Sequence, residues 1–108
     1  MRPTKRRVRR PGFLPELCRR LVALGAERIY LFGSWARGEA DEDSDVDLVV
    51  IQETRLPFFE RLREVARRLE PDWNADILVY TPEEFRSMLE RGNALAETVM
   101  EEGVLLHG

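Results

Sequence analysis

An α+β domain, helices layered on a small sheet in a two-layer α/β arrangement, is what this sequence predicts. Two observations lead there. Short runs rich in β-branched and aromatic residues recur along the chain, and between them lie segments whose apolar residues fall at helical spacing. The composition agrees: 108 residues, 44% hydrophobic and 34% charged, hold enough apolar material for one small packed core.

Each element has its own local reason. Pro15 to Leu24 carries Leu17, Leu21 and Leu24 at i, i+4 and i+7, a helical stripe that Gly25 stops. Arg28 to Phe32 (Arg-Ile-Tyr-Leu-Phe) reads as a strand ending at Gly33. Ser34 is placed to N-cap a short helical turn through Trp35, Ala36 and Arg37, and Gly38 to Ser44 follows as a polar loop. Val46 to Ile51 is a second strand, apolar on both faces past its aspartates, which predicts a covered, central position. Pro57 to Leu69 reads as a helix with Phe58, Leu62, Val65 and Leu69 on one stripe, closed by Pro71. Ala75 to Tyr80 is a third strand. Thr81-Pro82-Glu83-Glu84 then combines an N-cap, a proline at the first helical position and an acidic first turn, opening a helix to about Arg91. Asn93 to Glu101 forms one more helix, and Val104 to Leu106 is either a short edge strand or a tail.

Several classes of function fall away. No stretch approaches the roughly 20 apolar residues that cross a bilayer, and the basic start runs into Pro11 and Gly12 rather than an apolar leader core. A cytoplasmic protein is expected. One cysteine, Cys18, makes no internal disulfide, and one histidine, His107, supplies neither a zinc cluster nor a well-placed catalytic triad. Charge divides the chain unevenly. Residues 1–10 hold six of the 17 basic residues and no acid, so the remaining 98 carry 11 basic against 20 acidic residues, a net −9. Residues 1–12 are read as a disordered basic arm and residues 13–108 as a single domain. The acidic body would repel a phosphate backbone, so direct nucleic-acid binding is confined to the arm.

Chemistry concentrates at Asp45-Val46-Asp47 and at Asp76. Side chains on a strand alternate, so Asp45 and Asp47 project from one face, roughly 6–7 Å apart at the backbone. Two unpaired carboxylates at that spacing repel, and burying them together is costly unless a cation lies between them. Hard carboxylate oxygens suit Mg²⁺, which takes one or two of them and fills its octahedron with water and phosphate oxygens. If the second and third strands are neighbours, Asp76 reaches the same face, and three acids suit a two-metal site.

Separated from Asp45 by ten residues, Gly33-Ser34 offers the complementary half. A strand that ends in glycine and turns into a helix presents backbone N–H groups to an anion, and glycine lets a phosphate approach the backbone. Ser34 adds a hydroxyl and Arg37, one turn on, a positive charge. A phosphate cradle facing magnesium-binding carboxylates describes a nucleoside triphosphate site, although the chain lacks the Gly-x-x-x-x-Gly-Lys-Ser/Thr loop.

These residues carry a resemblance. Gly33-Ser34-Trp35-Ala36-Arg37-Gly38, followed by Ser44-Asp45-Val46-Asp47-Leu48, resembles the signature of the DNA polymerase β-like nucleotidyltransferase superfamily, and the short chain points to its minimal nucleotidyltransferase branch. The resemblance covers residues 13 to 106, and Asp76 sits where the branch's third carboxylate is expected. It implies a mixed sheet flanked by helices, the polymerase β-like fold. It also implies transfer of a nucleoside monophosphate, AMP from ATP or another triphosphate, to an acceptor hydroxyl with release of pyrophosphate. Asp45, Asp47 and Asp76 would hold two Mg²⁺ ions, Asp76 alternatively helping to deprotonate the acceptor, while Gly33, Ser34 and Arg37 would hold the triphosphate. Minimal members are often paired with a HEPN-domain toxin, some modifying a tyrosine of that toxin with AMP as type VII-like antitoxins. So small a core also leaves little surface for an acceptor domain, which points to an acceptor on another chain in a homo- or hetero-oligomer.

Three other functions compete. The chain could neutralise a partner by occlusion without catalysis, modify a small molecule such as an aminoglycoside, or bind nucleic acid through the arm. Blander readings attach to single residues. Asp41, Glu42 and Asp43 read as a solvated acidic loop; an EF-hand starting at Asp43 fails, because Leu48 and Thr54 stand where glycine and glutamate are needed. Arg37 either contacts phosphate or pairs with Glu39 or Asp41. Trp35 and Trp73 read as packing residues, Tyr30, Phe32 and Tyr80 as sheet-face residues, Cys18 as a small buried residue and His107 as tail. Arg61, Arg63, Arg67 and Arg68, alternating with Glu60, Glu64 and Glu70, read as a solvated helix face.

Overall fold

A computed structural model describes residues 10–108, so most of the basic arm lies outside the described residues. The elements run α1 (Leu14–Ala23), β1 (Arg28–Phe32), α2 (Ser34–Arg37), β2 (Val46–Ile51), α3 (Phe58–Ala66), β3 (Ala75–Tyr80), α4 (Pro82–Glu90), α5 (Ala94–Glu102) and β4 (Val104–His107). The strands form one sheet in the order β3-β2-β1-β4. β2 pairs parallel with β3, while β1 pairs antiparallel with both β2 and β4, so the sheet is mixed, as the resemblance implies. The parallel pair needs a crossover, and α3 supplies it. Among the described residues no helix is long and apolar enough to cross a membrane.

Alternation along the strands distributes the core. Ile29, Leu31, Val46, Leu48, Val50, Ile77 and Val79 pack on one face beneath Leu14, Leu17 and Leu21 of α1 and Val65 of α3. Tyr30, Val49 and Ile51 pack on the other, beneath Phe85 and Met88 of α4 and Ala96 and Val99 of α5. Helices therefore cover both faces, one layer more than the two-layer arrangement. The central strand explains it: Leu48 and Val49 point to opposite sides and both are fully buried, as the doubly apolar run of β2 required.

Local signals set the helix ends. Thr81 caps α4 with a complete capping box, its hydroxyl accepting from Glu84 N at 3.1 Å while Glu84 Oε1 accepts from Thr81 N at 2.8 Å. Asn93 Oδ1 caps α5 by accepting from Ala96 N at 3.0 Å. α3 is shorter than its apolar stripe predicts. Pro57 is extended and stands outside as the cap, and the helix ends at Ala66. Beyond it Arg68 N donates to Val65 O and Leu69 N to Ala66 O, a tightened final turn that leads the chain toward Pro71. The C-terminal segment is an edge strand, and His107 is an exposed member of it, paired with Ile29, rather than a tail residue.

Arg61 overturns the solvated-face reading of α3. It is 8% exposed, and its guanidinium donates to Leu56 O at 2.8 Å, Val79 O at 3.1 Å, Glu84 Oε1 at 2.7 Å and Glu84 Oε2 at 3.0 Å. Three residues after Phe58 and four before Val65, it lies on the inward stripe. A fork of donors satisfied by two carbonyls and a bidentate carboxylate is what lets a charge stay there. The same guanidinium holds the Glu84 carboxyl below the ordinary carboxylate range. Arg63, Arg67 and Arg68 do remain exposed, beside Glu60 and Glu64. Near the chain start, Phe13 stacks on Trp73 with ring centroids 5.5 Å apart, and Arg20 covers Trp73 at 4.9 Å, so Trp73 packs as expected. Cys18 is half-buried against the same core, and burial pushes its thiol up.

Candidate active site

The last residue of β1, Phe32, pairs with Asp47 of β2. Gly33 follows with φ 77° and ψ −157°, a region essentially reserved for glycine. A Cβ placed there would collide with Asp47 Oδ2 and lie 3.2 Å from Asp47 Cγ. The Gly33 backbone thus runs directly against the Asp47 carboxyl, and glycine is required twice over, by conformation and by space.

Across β2, Asp47 stands in register with Asp76 on the parallel strand β3. Residues paired in this way share a face, here the one that carries α4 and α5. Asp45 lies two residues ahead of Asp47, just outside β2, with Val46 N anchored to Asn74 O at 2.9 Å. Asp45 and Asp76 are exposed and Asp47 is half-buried. Burial first, then the charges of Asp76 and Asp45, raise the Asp47 carboxyl above the ordinary aspartate range, with Arg37 opposing them. Asp47 therefore feels the charge of both other predicted acids. The three do not form a finished ligand set: among the described residues no three His, Cys, Asp or Glu side chains are grouped as a metal ion would hold them. Asp47 and Asp76, in register on adjacent strands, are hard oxygen donors of the kind that suits a divalent cation.

Ser34 corrects one expectation. Gly33, not Ser34, is the N-cap of α2; Gly33 O accepts from Ala36 N at 3.0 Å and Arg37 N at 3.1 Å, and no side chain caps the turn. The glycine conformation makes the bend one residue early, and helical geometry already begins at Ser34. With only four residues α2 has little dipole, so what it can offer an anion is donors: its first N–H groups and the half-buried Ser34 hydroxyl. Arg37 is exposed and pairs with Glu39 Oε1 at 2.9 Å and Glu102 Oε1 at 3.5 Å. Of the pairings weighed for it, Glu39 is present and Asp41 is replaced by Glu102, from the far end of α5.

Two supports of the site lie outside the expectations above. Trp35 packs on the core and donates from Nε1 to Ser44 O at 3.0 Å, tying down the loop that delivers Asp45. Asp41 organises the same loop: its Oδ1 accepts from Asp43 N at 2.9 Å and from the Ser44 hydroxyl at 3.2 Å. An Asx-type turn of this kind was implicit in Asp-Glu-Asp-Ser; the tryptophan contact had no local signal. The site is open. A concavity of about 420 Å³ lined by Phe58, Tyr80, Ser87, Met88 and Arg91 lies instead toward the far end of β3, since Tyr80 is four residues, about 13 Å, along the strand from Asp76.

Comparison with known proteins bears on this geometry. Residues 12–106 match the family model described as a nucleotidyltransferase domain. The chain is 34% identical over 67 residues to a curated Haemophilus influenzae protein, the candidate protein adenylyltransferase MntA; the match covers 58% of this chain and spans 59% of that relative's length. A crystal structure of a candidate nucleotidyltransferase from Sulfolobus solfataricus superposes with a TM-score of 0.61 at 24% identity, covering 86% of this chain and 75% of the other, and shows the shared fold. A chain from a crystal structure of a toxin-antitoxin with AMP-PNP superposes with a TM-score of 0.56 at 25% identity, covering 86% and 72%.

Proposed function

Because the chain belongs to the nucleotidyltransferase domain family, we propose that it transfers AMP from ATP to an acceptor hydroxyl, with Asp45, Asp47 and Asp76 as ligands of Mg²⁺. The observation that carries this reading is the register of Asp47 with Asp76, combined with the Gly33 backbone lying against Asp47. Residues 13–108 then act as one catalytic domain, and the basic stretch ahead of them is outside its chemistry. An ATP-consuming reaction of this kind is consistent with a cytoplasmic location.

The chemistry follows from the side chains. Gly33 leaves room for phosphate oxygens at the backbone, and the first N–H groups of α2, the Ser34 hydroxyl and Arg37 supply donors to the triphosphate. The acceptor oxygen attacks the α-phosphorus, the bond to the bridging oxygen of the β-phosphate breaks, and pyrophosphate leaves with that electron pair. Asp76, the exposed acid of the pair, would take the acceptor proton or share in holding the cation. Bound Mg²⁺, one ion or two, would neutralise the phosphate charge that grows during this displacement and make the acceptor oxygen a better nucleophile.

The acceptor we propose is a tyrosine of a HEPN-domain toxin, for which this chain would be the antitoxin. The likeness to a candidate protein adenylyltransferase supports a protein acceptor, and the likeness to a toxin-antitoxin chain supports a toxin partner. The exposure of Asp45 and Asp76 suits an acceptor delivered by another chain. Incubating the protein and a HEPN-domain partner with ATP labelled in its α-phosphate should place label on a partner tyrosine, and EDTA should abolish it. Label on a free small molecule alone would move the assignment to a small-molecule transferase. A partner neutralised without any label would establish occlusion instead.

A further inference from the structure

Arg37 closes the turn that follows Gly33, yet both carboxylates that hold it lie outside the acid cluster. Its Nε donates to Glu39 Oε1 at 2.9 Å and its Nη1 approaches Glu102 Oε1 at 3.5 Å. Glu39 follows α2 after Gly38, while Glu102 is the last residue of α5, 65 positions from Arg37 in sequence. The guanidinium therefore bridges the glycine turn to the far end of a helix. It also stands close enough to Asp47 to oppose the burial that raises that carboxyl. A guanidinium presents one planar fork of donors, and carboxylates and phosphates compete for the same N–H groups.

We infer that Glu39 and Glu102 park Arg37, so that an incoming nucleoside triphosphate must take the guanidinium from them to be fully bound. The inference rests on the reading of Gly33–Arg37 as the triphosphate site and adds a regulating contact to it. Both ion pairs are solvent-exposed, so the parked state is shallow and ligand phosphate can displace it. Apparent affinity is lowered by the fraction of molecules in which Arg37 is engaged elsewhere. Any change at Glu102 that strengthened or broke the contact would retune nucleotide affinity from the α5–β4 junction.

A double-mutant cycle on the full chain tests this, with affinity for ATP in Mg²⁺ measured by calorimetry at fixed ionic strength. The pair E39Q/E102Q should bind ATP about threefold to tenfold more tightly than the parent. R37A should bind more weakly than the parent, and adding both glutamines to R37A should change its affinity by less than about twofold. Removal of two negative charges near a polyanion would also favour ATP through the field alone, but that effect would persist without Arg37. An equal gain in both backgrounds, no gain in the parent background, or an R37A protein that binds as well as the parent would each overturn the parking contact. A parent that binds no ATP would overturn the triphosphate reading itself, and the inference with it.

Discussion

Asp47→Asn should cut nucleotidyl transfer by about 10³-fold or more, since the charge stabilisation it removes is several kcal/mol, while leaving the protein folded and, at neutral pH, more stable. The two effects share one cause. Asp47 is half-buried, pressed against Gly33 and flanked by Asp76 and Asp45, so its ionised form is disfavoured. Its folded-state affinity for a proton exceeds that of the unfolded chain. Stability from this group is therefore fully present at low pH, where both states are protonated, and is lost as pH rises from the ordinary aspartate range through the raised folded value. Asparagine cannot ionise and should abolish that portion of the slope. Glu84, lowered by Arg61, contributes with the opposite sign and is lost on acidification, so the comparison must be between Asp47→Asn and parent. Urea melts of both proteins in EDTA across pH 3.5 to 7, roughly the range set by ordinary carboxylates, provide the check. A variant that unfolds, or one that keeps its activity, would remove Asp47 from the proposed role.

Gly33→Ala is the second large effect, and it should damage stability and activity together. Its backbone, at φ 77° and ψ −157°, is in a region that costs a residue with a side chain about 1–3 kcal/mol. For a domain of this size that corresponds to a fall in Tm on the order of 10 °C. The added methyl must also displace the Asp47 carboxyl, which it would otherwise overlap. A misplacement near 1 Å can cost about 10²-fold in rate, so residual folded protein should still be nearly inactive. Gly38→Ala separates the two causes. Gly38 has φ 75° with nothing within 4 Å of a new Cβ, so it should lose about 1–2 kcal/mol from backbone strain and retain most transfer activity. Equal losses of specific activity at the two glycines would show that Gly33 acts only through the fold.

The strands were legible because their signals are local: β-branched runs bounded by glycine, proline or polar residues give Arg28–Phe32, Val46–Ile51 and Ala75–Tyr80 with the same bounds in the structure. Strand parity likewise predicts that Asp47 faces away from Val46 and Leu48, whereas Asp45, just outside β2, lies beyond the reach of that rule. Asp76 was different, because its place beside Asp47 depends on β2 and β3 being neighbours, a long-range fact that only the family resemblance supplied. Contacts between distant segments were invisible for the same reason. Arg61 reads as surface charge until Glu84, 23 residues on, is brought to it by the β3–α4 connection. Glu102 reaches Arg37 only because α5 packs on β1. The α2 cap falls at Gly33 rather than Ser34 because glycine takes the φ 77° bend that residues with a side chain avoid.

The claim beneath all of this is that the acids on β2 and β3 and the glycine turn after β1 form one magnesium–triphosphate site. Calorimetric titration of the full chain with ATP, in Mg²⁺ and in EDTA, tests it most directly. Saturable binding should appear with Mg²⁺, weaken sharply in EDTA, and weaken again when Asp76 is replaced by asparagine. Equal binding with and without the cation, or no heat in either, would contradict it.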